Sequence, residues 1–297
     1  MKLPKSFLAP IFGYTNAPFR ILCQRYGAEA AMVPLINVKT VINGKADRVI
    51  DAIPMEKNLA VQLSGSKPHE FAEAAKIIEK RFPFVKRFDV NSGCPSDKAV
   101  LGDMGAALMK NPETTRDIVK AIKKESDAIV SVKTRIFKEV KKTLSIVAAV
   151  WEAEADFIIV HARTPSQKYA GRADWGMIKE IHESTSLPIV GNGDIASVKE
   201  GMALVQRRFC SSFMIGRAAM QNPMVFDDKT ELNYEGRKEL FLEYVELCRK
   251  LDCLDVSDLR IKSTQFFRNI PNSAPLRNEL FKSKTVDELL KKLSEVR

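Results

Sequence analysis

Short apolar runs alternate with amphipathic stretches along the first 225 or so residues of the chain. The runs are rich in Val, Ile and Phe, which is typical of strands that are buried on both faces. Between them lie stretches with a helical period, among them Pro68–Lys80, Pro112–Lys124, Thr143–Glu152 and Ser197–Val205, and Pro and Ser are common helix-start residues. The eight apolar runs are Ser6–Ala9, Ala30–Val33, Leu59–Leu63, Val85–Val90, Ala128–Val132, Phe157–Val160, Pro188–Val190 and Ser212–Ile215.

This alternation of strand and helix predicts a parallel sheet. Eight repeats in about 220 residues match an α/β fold of the closed (β/α)8 kind, the TIM barrel. A doubly wound open sheet is the alternative, and the segment Gly191–Ala196 favours it because it fits the G-x-G-x-x-G/A dinucleotide pattern after a strand. That segment follows the seventh strand rather than the first, and no acidic residue ends a following strand at the required distance, so we favour the barrel.

The pattern changes after Asp228, where strand signals end. Three helices are predicted beyond it, over Glu235–Leu251, Ser257–Asn269 and Thr285–Val296. We therefore predict a catalytic barrel over residues 1–228 and a small all-helical domain over residues 229–297. The alternative is that these helices only decorate the barrel.

Composition limits the class of protein. The chain has 297 residues, of which 45% are hydrophobic and 28% charged, an ordinary globular mixture. No stretch approaches the roughly 20 uncharged apolar residues of a membrane span. Five cysteines at irregular spacing argue against a disulfide framework and for a reducing compartment, so we expect a cytoplasmic protein. Cys248 and Cys253 lack nearby partner ligands, and no metal site is predicted.

The net charge of +10 suits a polyanionic partner without specifying one. Nearly all of the excess lies in the first 229 residues, because basic and acidic residues almost balance in the tail. Any groove for a nucleic acid would therefore need the larger domain as one wall.

Candidate chemistry is concentrated at the ends of the predicted strands, where barrel enzymes carry their sites. Polar or conformationally special residues follow nearly every run. They are Ala9–Thr15 after the first, Gln62 in the third, Asn91–Pro95 after the fourth, Lys133 and Arg135 after the fifth, His161 and Arg163 after the sixth, Asn192–Asp194 after the seventh, and Gly216 with Arg217 after the eighth.

Two of these groups fit a flavin nucleotide. Gly193 and Gly216 lie where the seventh and eighth strands meet their helices, the usual phosphate site of such barrels, and Arg217 would add charge. The alternative is that both glycines only permit tight turns. A flavin ring also needs donors and acceptors along its pyrimidine edge and a cation near N1 and O2. Lys133 suits that cation, although it could instead be a Schiff-base lysine.

His161 and Gln62 suit the hydrogen-bonding edge of the same ring. Cys94 offers a second function, because a thiol that is protonated at neutral pH can act as a general acid opposite a hydride donor. It could also be a nucleophile, or an inert core cysteine. The segment Ser96–Gly105 that follows is rich in Gly, Asp and Lys and is predicted to be a mobile lid.

Taken together, these residues resemble the dihydrouridine synthase family, the FMN enzymes that reduce uridine in tRNA. The resemblance covers nearly the whole chain. The matching blocks are Ala9–Thr15 with Phe19 and Arg20, Asn91–Pro95 with Gly105–Leu108, Val132–Arg135, His161–Thr164 with Gln167, Tyr169, Gly171 and Ala173–Trp175, Gly191–Ile195, and Met214–Ala218 with Asn222 and Pro223.

The resemblance implies a reaction in which FMN delivers hydride from N5 to C6 of the uracil and Cys94 protonates C5, with NADPH as the reductant. It implies that Asn91 contacts the uracil, that Arg135 lies near the substrate or the flavin, and that Arg163 lies near the substrate. The implied cofactor-binding residues are Pro10, Ile11, Gln62, Lys133, His161, Asn192, Gly193, Asp194, Gly216 and Arg217. Two positions depart from the family: Ile11 stands where Met is usual, and Met32–Asn37 lacks the acidic residue that many members have after the second strand.

A tRNA substrate implies that the target base leaves its stack and that lysines and arginines hold the phosphates, so that binding is salt-dependent. We expect a monomer whose two domains form one positive groove. The candidate phosphate contacts are Lys98, Lys138, Lys141, Lys142, Lys168, Arg172, Arg260, Lys262, Arg268 and Arg277. Three alternatives stay open: an FMN barrel enzyme for free pyrimidines or enones, a flavin-free aldolase or isomerase that uses Lys133, and an RNA-binding protein without turnover.

Overall fold

Eight parallel strands form a closed ring. The computed structural model describes residues 2–228 and 231–295, apart from the side chain of Lys98. The strand order is β1-β8-β7-β6-β5-β4-β3-β2, and a parallel bridge between Phe7 and Ala30 joins the two ends. The predicted barrel is confirmed, and the open sheet is excluded because such a sheet would leave two edges unpaired. The strands are β1 Ser6–Leu8, β2 Ala31–Asn37, β3 Leu59–Ser64, β4 Arg87–Ser92, β5 Ile129–Arg135, β6 Phe157–His161, β7 Ile189–Asn192 and β8 Ser212–Ile215.

The interior of the ring is packed with side chains at its amino-terminal end. Phe7 and Phe157 are fully buried there, and the guanidinium of Arg87 lies 5.3 Å from the centroid of each ring. Inward-pointing apolar residues fill small barrels in this way. The open space of the barrel is therefore at the opposite end, where the strands finish.

Helices cover the outside of the ring, and their apolar stripes face the strands. The side chains of Asn111 and Ser197 accept hydrogen bonds from the backbone N–H groups of Thr114 and Glu200, which caps two of these helices. The helices up to residue 221 are α1 Ala17–Arg25, α2 Val38–Thr40, α3 Ala46–Val49, α4 Pro68–Arg81, α5 Asp97–Leu101, α6 Pro112–Glu125, α7 Val140–Glu152, α8 Trp175–Glu183, α9 Val198–Gln206 and α10 Arg217–Gln221. Short 3₁₀ and π turns add Val41–Lys45, Gly105–Lys110 and Pro223–Asp227.

Two segments near the site differ from the sequence prediction. Strand β2 runs four residues beyond Val33, through a register shift between Val33 and Ile36 in which Leu35 has φ 33°. The segment predicted to be a lid contains the helix α5, whose first turn is capped by the side chain of Ser96. Local periodicity did not reveal either feature because one is irregular and the other is a single turn.

Four helices follow the barrel within residues 231–295, one more than predicted. They are α11 Tyr234–Lys250, α12 Val256–Phe266, α13 Ala274–Lys282 and α14 Val286–Glu295. The additional helix, α13, buries only Leu276 and Leu280, which is too few apolar positions to show a period in the sequence. No helix within the described ranges is long and apolar enough to cross a membrane.

The tail helices share a hydrophobic core with helix α1 of the barrel. The ring of Phe19 in α1 lies 6.4 Å from the rings of both Tyr244 in α11 and Phe266 in α12, in edge-on geometry. Such aromatic pairs contribute beyond the area they bury. Helix α12 is therefore held close to the opening of the barrel.

Lys262 is the buried charge at this contact, and its assignment as a candidate phosphate contact is wrong. Its side chain is 0% exposed. The ammonium donates hydrogen bonds to the carbonyl oxygen of Tyr14, at 2.6 Å, and to Asp258 Oδ1, at 2.9 Å. It also lies 4.0 Å from the centroid of the Tyr14 ring, a cation–π distance. Lys262 therefore joins α12 to the loop after β1 and is not available to RNA.

Candidate active site

A cavity of about 800 Å³ opens at the carboxyl ends of the strands, as predicted for a barrel enzyme. Gln265 of helix α12 and Arg268, two residues beyond its end, contribute to the wall of this cavity. The predicted residues that the structure brings together here are Pro10, Ile11, Gln62, Asn91, Cys94, Lys133, Arg135, His161, Arg163, Asn192, Gly193, Asp194, Gly216 and Arg217.

A chain of buried hydrogen bonds runs from the barrel interior to the cavity. Ser131 Oγ donates to Asp89 Oδ1 at 2.6 Å, and Gln62 Nε2 donates to Asp89 Oδ2 at 2.8 Å. Asn91 Nδ2 then donates to Gln62 Oε1 at 2.9 Å. Asp89 is fully buried, and burial raises the pKa of its carboxyl group, while the hydrogen bonds from Ser131 and Gln62 and the charge of Lys133 oppose that rise.

The loop that carries Cys94 is held at two points. Asn91 Oδ1 accepts the backbone N–H of Cys94 at 3.0 Å, and the carbonyl oxygen of Cys94 accepts the N–H of Ala106 at 2.9 Å. Gly105 packs so tightly here, at φ 59°, that a Cβ atom would lie 2.6 Å from the Cys94 carbonyl oxygen. The Cys94 thiol itself is partly exposed and lines the cavity.

Lys133 brings a positive charge to the centre of the cavity. Its ammonium donates to Asn192 Oδ1 at 3.3 Å, and Asn192 Nδ2 in turn donates to the carbonyl oxygen of Met214 at 2.9 Å. Loss of hydration lowers the pKa of Lys133, and the charge of Arg135 lowers it further, whereas Asp89 opposes this. In the described part of the chain, no carboxylate forms an ion pair with this ammonium, so it remains available to an anionic or carbonyl ligand.

His161 stays neutral because of its surroundings. It is buried, and desolvation together with the charges of Lys133, Arg135, Arg163 and Arg217 lowers its pKa to about 2. A neutral imidazole has one donor and one acceptor nitrogen, which suits a ligand edge with both kinds of group. So many cations around one imidazole also give this side of the cavity a positive field.

Asp194 compensates part of that charge. Arg163 Nη2 contacts Asp194 Oδ2 at 2.6 Å, and Arg217 Nη2 contacts Asp194 Oδ1 at 2.6 Å. Burial by itself raises the pKa of Asp194, but Arg163, the N–H of Ala173 and Arg217 bring it below its usual range. Asp194 therefore orients two arginines, and Arg163 Nε and Nη2 also donate to the carbonyl oxygens of residues 170 and 171, while its buried Nη1 has no hydrogen-bond partner among the described residues.

The two glycines predicted at the phosphate site differ in whether their surroundings would admit a side chain. Gly193 has φ 132°, and a Cβ atom there would lie 2.8 Å from the Cβ of Ala173, so only glycine fits. Gly216 has φ −120°, and a Cβ atom there would make an ordinary 3.4 Å contact with Ala9. Contact with neighbouring atoms therefore does not by itself exclude a side chain at 216, and the absence of one leaves space in the cavity wall for a ligand.

Arg135 supports the loop after β6. It donates to the carbonyl oxygens of Gly93, at 3.0 Å, Thr164, at 3.2 Å, and Lys168, at 2.9 Å. Its guanidinium also lies 5.9 Å from the ring of Tyr169, and that of Arg217 lies 5.2 Å from the same ring. The exposed Tyr169 ring is thus held at the rim of the cavity between two cations.

Of the four predicted tail contacts, Arg268 lines this cavity, whereas Arg260, Lys262 and Arg277 do not. Arg260 Nε donates to the carbonyl oxygen of Ser283, which links α12 to the end of α13. Arg277 lines a separate open depression of about 630 Å³ on the tail, and Arg268 lines both this depression and the barrel cavity. The side chain of Lys98 lies outside the part of the chain that the structure describes.

Sequence reasoning missed three contributors to the site. Asp89 lies inside an apolar run rather than after it, although a single acidic residue within a buried strand was a usable signal. Tyr169 was noted only as part of a matching block, and Gln265 reaches the cavity through the docking of a distant helix. No group of three potential metal ligands occurs among the described residues.

The fold and site define a (β/α)8-barrel enzyme with a cation-rich cavity and a thiol at the ends of its strands. The family model for dihydrouridine synthase (Dus) matches residues 7–296. A probable tRNA-dihydrouridine synthase of Aquifex aeolicus is 30% identical over 304 residues, which covers 98% of this chain and 95% of that protein. One from Helicobacter pylori strain J99 is 31% identical and covers 81% of this chain and 75% of that protein. The chain belongs to the dihydrouridine synthase family.

Solved structures support the fold. Histamine dehydrogenase from Rhizobium sp. 4-9 matches with a TM-score of 0.56 at 12% identity, over 82% of this chain and 49% of that one. The 6-hydroxypseudooxynicotine amine oxidase of Pseudomonas geniculata N1 matches with a TM-score of 0.54 at 10% identity, over 81% of this chain and 50% of that one. This chain thus spans about half the length of these two proteins, and at such identities the likeness concerns the barrel alone.

Proposed function

We propose that the protein reduces uridine in tRNA to 5,6-dihydrouridine, with FMN in the barrel cavity, NADPH as the reductant and Cys94 as the general acid. The observation that supports it most directly is the position of the Cys94 thiol. It shares one cavity with the ammonium of Lys133, the amide of Gln62 and the neutral imidazole of His161. When bound, FMN would supply hydride from N5 to C6 of the uracil.

The residues present fit FMN. Its phosphate requires cations and backbone space, and the Arg217 end of the cavity has both, since Gly193 and Gly216 leave room there. The pyrimidine edge of its ring requires a cation with donors and acceptors, which Lys133, His161 and Gln62 provide. The same cavity is also lined by Pro10, Ile11 and Asn192. Asp194 contributes by forming an ion pair with Arg217.

Cys94 supplies the proton that the reaction needs. Hydride addition at C6 of a uracil builds enolate character toward C4, and a proton delivered to C5 removes it. The thiol is a suitable donor because its loop is fixed on one side by Asn91 and on the other by Ala106. The second N–H of the Asn91 amide is free to contact the uracil.

The tail supports RNA binding next to the cavity. Gln265 of α12 and Arg268 just beyond it line the cavity, and Arg268 also lines the depression that contains Arg277. Lys168 and Arg172, on the loop after β6, are exposed at the barrel side. Phosphate contacts of this kind offset the few kcal/mol that are needed to extrude a base. Residues 229–297 are accordingly proposed as a tRNA-binding helical unit.

The test combines a spectrum with a product assay. The purified protein should be yellow, and with NADPH and unmodified tRNA it should form dihydrouridine, measured by nucleoside mass spectrometry. Cys94→Ala should lower the rate of product formation by about 10²–10⁴-fold, the usual contribution of a general acid. Cys253→Ala is the matched control because Cys253 is exposed on the tail and does not line the cavity.

Two outcomes would contradict the proposal in different ways. A yellow protein that oxidises NADPH but leaves every uridine unchanged would direct the search to free pyrimidines or enones. A colourless protein whose activity depends on Lys133 would favour the aldolase or isomerase alternative.

A further inference from the structure

Asp89 does not line the cavity, yet it stands at the beginning of a chain of contacts that ends at Cys94. It is 0% exposed, and Ser131 and Gln62, the two residues that donate to it, are 1% and 2% exposed. Nothing in the proposed reaction uses this carboxylate. A charged group held so deeply is costly unless it is hydrogen-bonded and serves a purpose.

The group at one end of this series of hydrogen bonds can only accept, and the groups at the other end can only donate. An ionised carboxylate only accepts hydrogen bonds, so Asp89 requires the nitrogen of the Gln62 amide to face it. At the other end, the backbone N–H of Cys94 and that of Gly93 only donate, so they require the oxygen of the Asn91 amide. The single arrangement that satisfies both ends has Asn91 Nδ2 donating to Gln62 Oε1, which is the bond observed.

We propose that Asp89 is a positioning residue, which fixes the orientation of the Gln62 and Asn91 amides and through them the place of the Cys94 thiol. When this series of hydrogen bonds is intact, one N–H of Gln62 and one of Asn91 remain for ligands at the cavity wall. A reversed Gln62 amide would place two nitrogen donors against each other, and a reversed Asn91 would withdraw the acceptor from the Cys94 loop. This inference rests on the proposed role of Cys94 as acid.

The first test reads the position of the thiol without using turnover. In the holoenzyme, Asp89→Ala removes the fixed acceptor, so the Cys94 loop should loosen and iodoacetamide should alkylate Cys94 severalfold faster, measured by peptide mass spectrometry. Cys253 is exposed and serves as the reference in the same molecule, while Cys23 and Cys210 are buried and report unfolding. A change at Cys94 alone is the expected result.

A conservative variant separates orientation from mere packing. Asp89→Asn can still present its oxygen to Gln62 and its nitrogen to the hydroxyl oxygen of Ser131, so it should restore alkylation of Cys94 to within about twofold of wild type. In single-turnover reduction of tRNA, Asp89→Ala should lower the rate constant by about 10²-fold, the effect of a misplacement near 1 Å, with the KM for tRNA unchanged.

The outcomes decide the matter in each case. If Asp89→Ala leaves both the alkylation of Cys94 and the rate constant within twofold of wild type, Asp89 has no positioning role. If Cys23 and Cys210 become reactive in Asp89→Ala, that variant is unfolded and Gln62→Leu replaces it: faster alkylation of Cys94 alone supports the proposal, and unchanged alkylation overturns it. Because alkylation does not require uridine as substrate, this test can fail while the proposed function stands, and the reverse also holds.

Discussion

Replacement of Lys262 by Met tests how the tail is attached to the barrel. The change keeps most of the apolar stem and removes the ammonium that bonds to the Tyr14 carbonyl oxygen and to Asp258. It also ends the cation–π contacts with the rings of Tyr14, Phe19 and Tyr244, at 4.0, 5.5 and 5.3 Å. Among the described residues, the bond to Tyr14 is the one hydrogen bond from a side chain of α12 to the loop after β1, and the substitution removes it.

The magnitude follows from burial. Removing one partner of a buried ion pair commonly costs about 3–5 kcal/mol, because the other charge is left uncompensated. Here the cost is at the lower end, since the side chain of Asp258 is 22% exposed and keeps its hydrogen bond from the Tyr244 hydroxyl group. A thioether costs less to bury than an ammonium group, and this offsets part of the loss in the free energy of unfolding. We therefore expect a loss of about 2–4 kcal/mol in the free energy of unfolding.

Urea denaturation and thermal melting measure this loss. For a chain of this size it corresponds to a decrease in Tm of roughly 5–12 °C. Lys282→Met is the matched control, because Lys282 pairs with Glu279 at the surface, where its side chain is 69% exposed, and should cost less than about 0.5 kcal/mol. Combining Lys262→Met with Asp258→Asn should cost less than the sum of the two single changes. A Lys262→Met protein within about 0.5 kcal/mol of wild type would refute the reasoning, since that loss is far below the roughly 3–5 kcal/mol usual for a broken buried pair.

Three further predictions concern the cavity. Arg268→Ala should raise the KM for tRNA, leave the turnover number nearly unchanged and reduce the slope of log affinity against log salt by about one, measured by titration at several salt concentrations; an unchanged slope would exclude a phosphate contact. Gly193→Ala should weaken flavin binding, seen as loss of visible absorbance on dialysis, because the new methyl group meets Ala173 at 2.8 Å in a backbone region with φ 132°; full retention of colour would contradict this. Desolvation and the surrounding cations lower the pKa of His161 to about 2, far below its ordinary 6.5, so below about pH 6.5 the unfolded chain takes up a proton at this residue that the folded chain does not. The contribution of His161 to the free energy of unfolding is therefore complete above about pH 6.5 and decreases by up to about 1.4 kcal/mol per pH unit below it. In His161→Gln, the free energy of unfolding measured by urea denaturation should decrease less between pH 7.5 and 5.5 than in wild type. An equal decrease would be evidence against the effect.

The local pattern was sufficient for the barrel and for much of its cavity. Buried parallel strands are continuous apolar runs, so their ends can be located from the sequence, and in a barrel all those ends meet at one face. This is why Cys94, Lys133 and His161 could be predicted to lie together although they are far apart along the chain. Asp89 escaped the same reasoning because it lies within a strand, and its partner Ser131 is brought opposite by the register of β4 and β5.

What the sequence determined by itself is the order of strands and helices, the family blocks and the residues available for chemistry at the strand ends. Only the tertiary structure decided which charged side chains are buried with partners inside the protein and which face a ligand. Lys262 and Arg268 are six residues apart and look alike as surface candidates. Docking of α12 on α1 buries Lys262 among aromatic rings, whereas Arg268, just beyond the end of α12, is exposed and lines the cavity. The physical reason is that a helix shows its own apolar face in its sequence, whereas the burial of its polar residues depends on the element against which it packs.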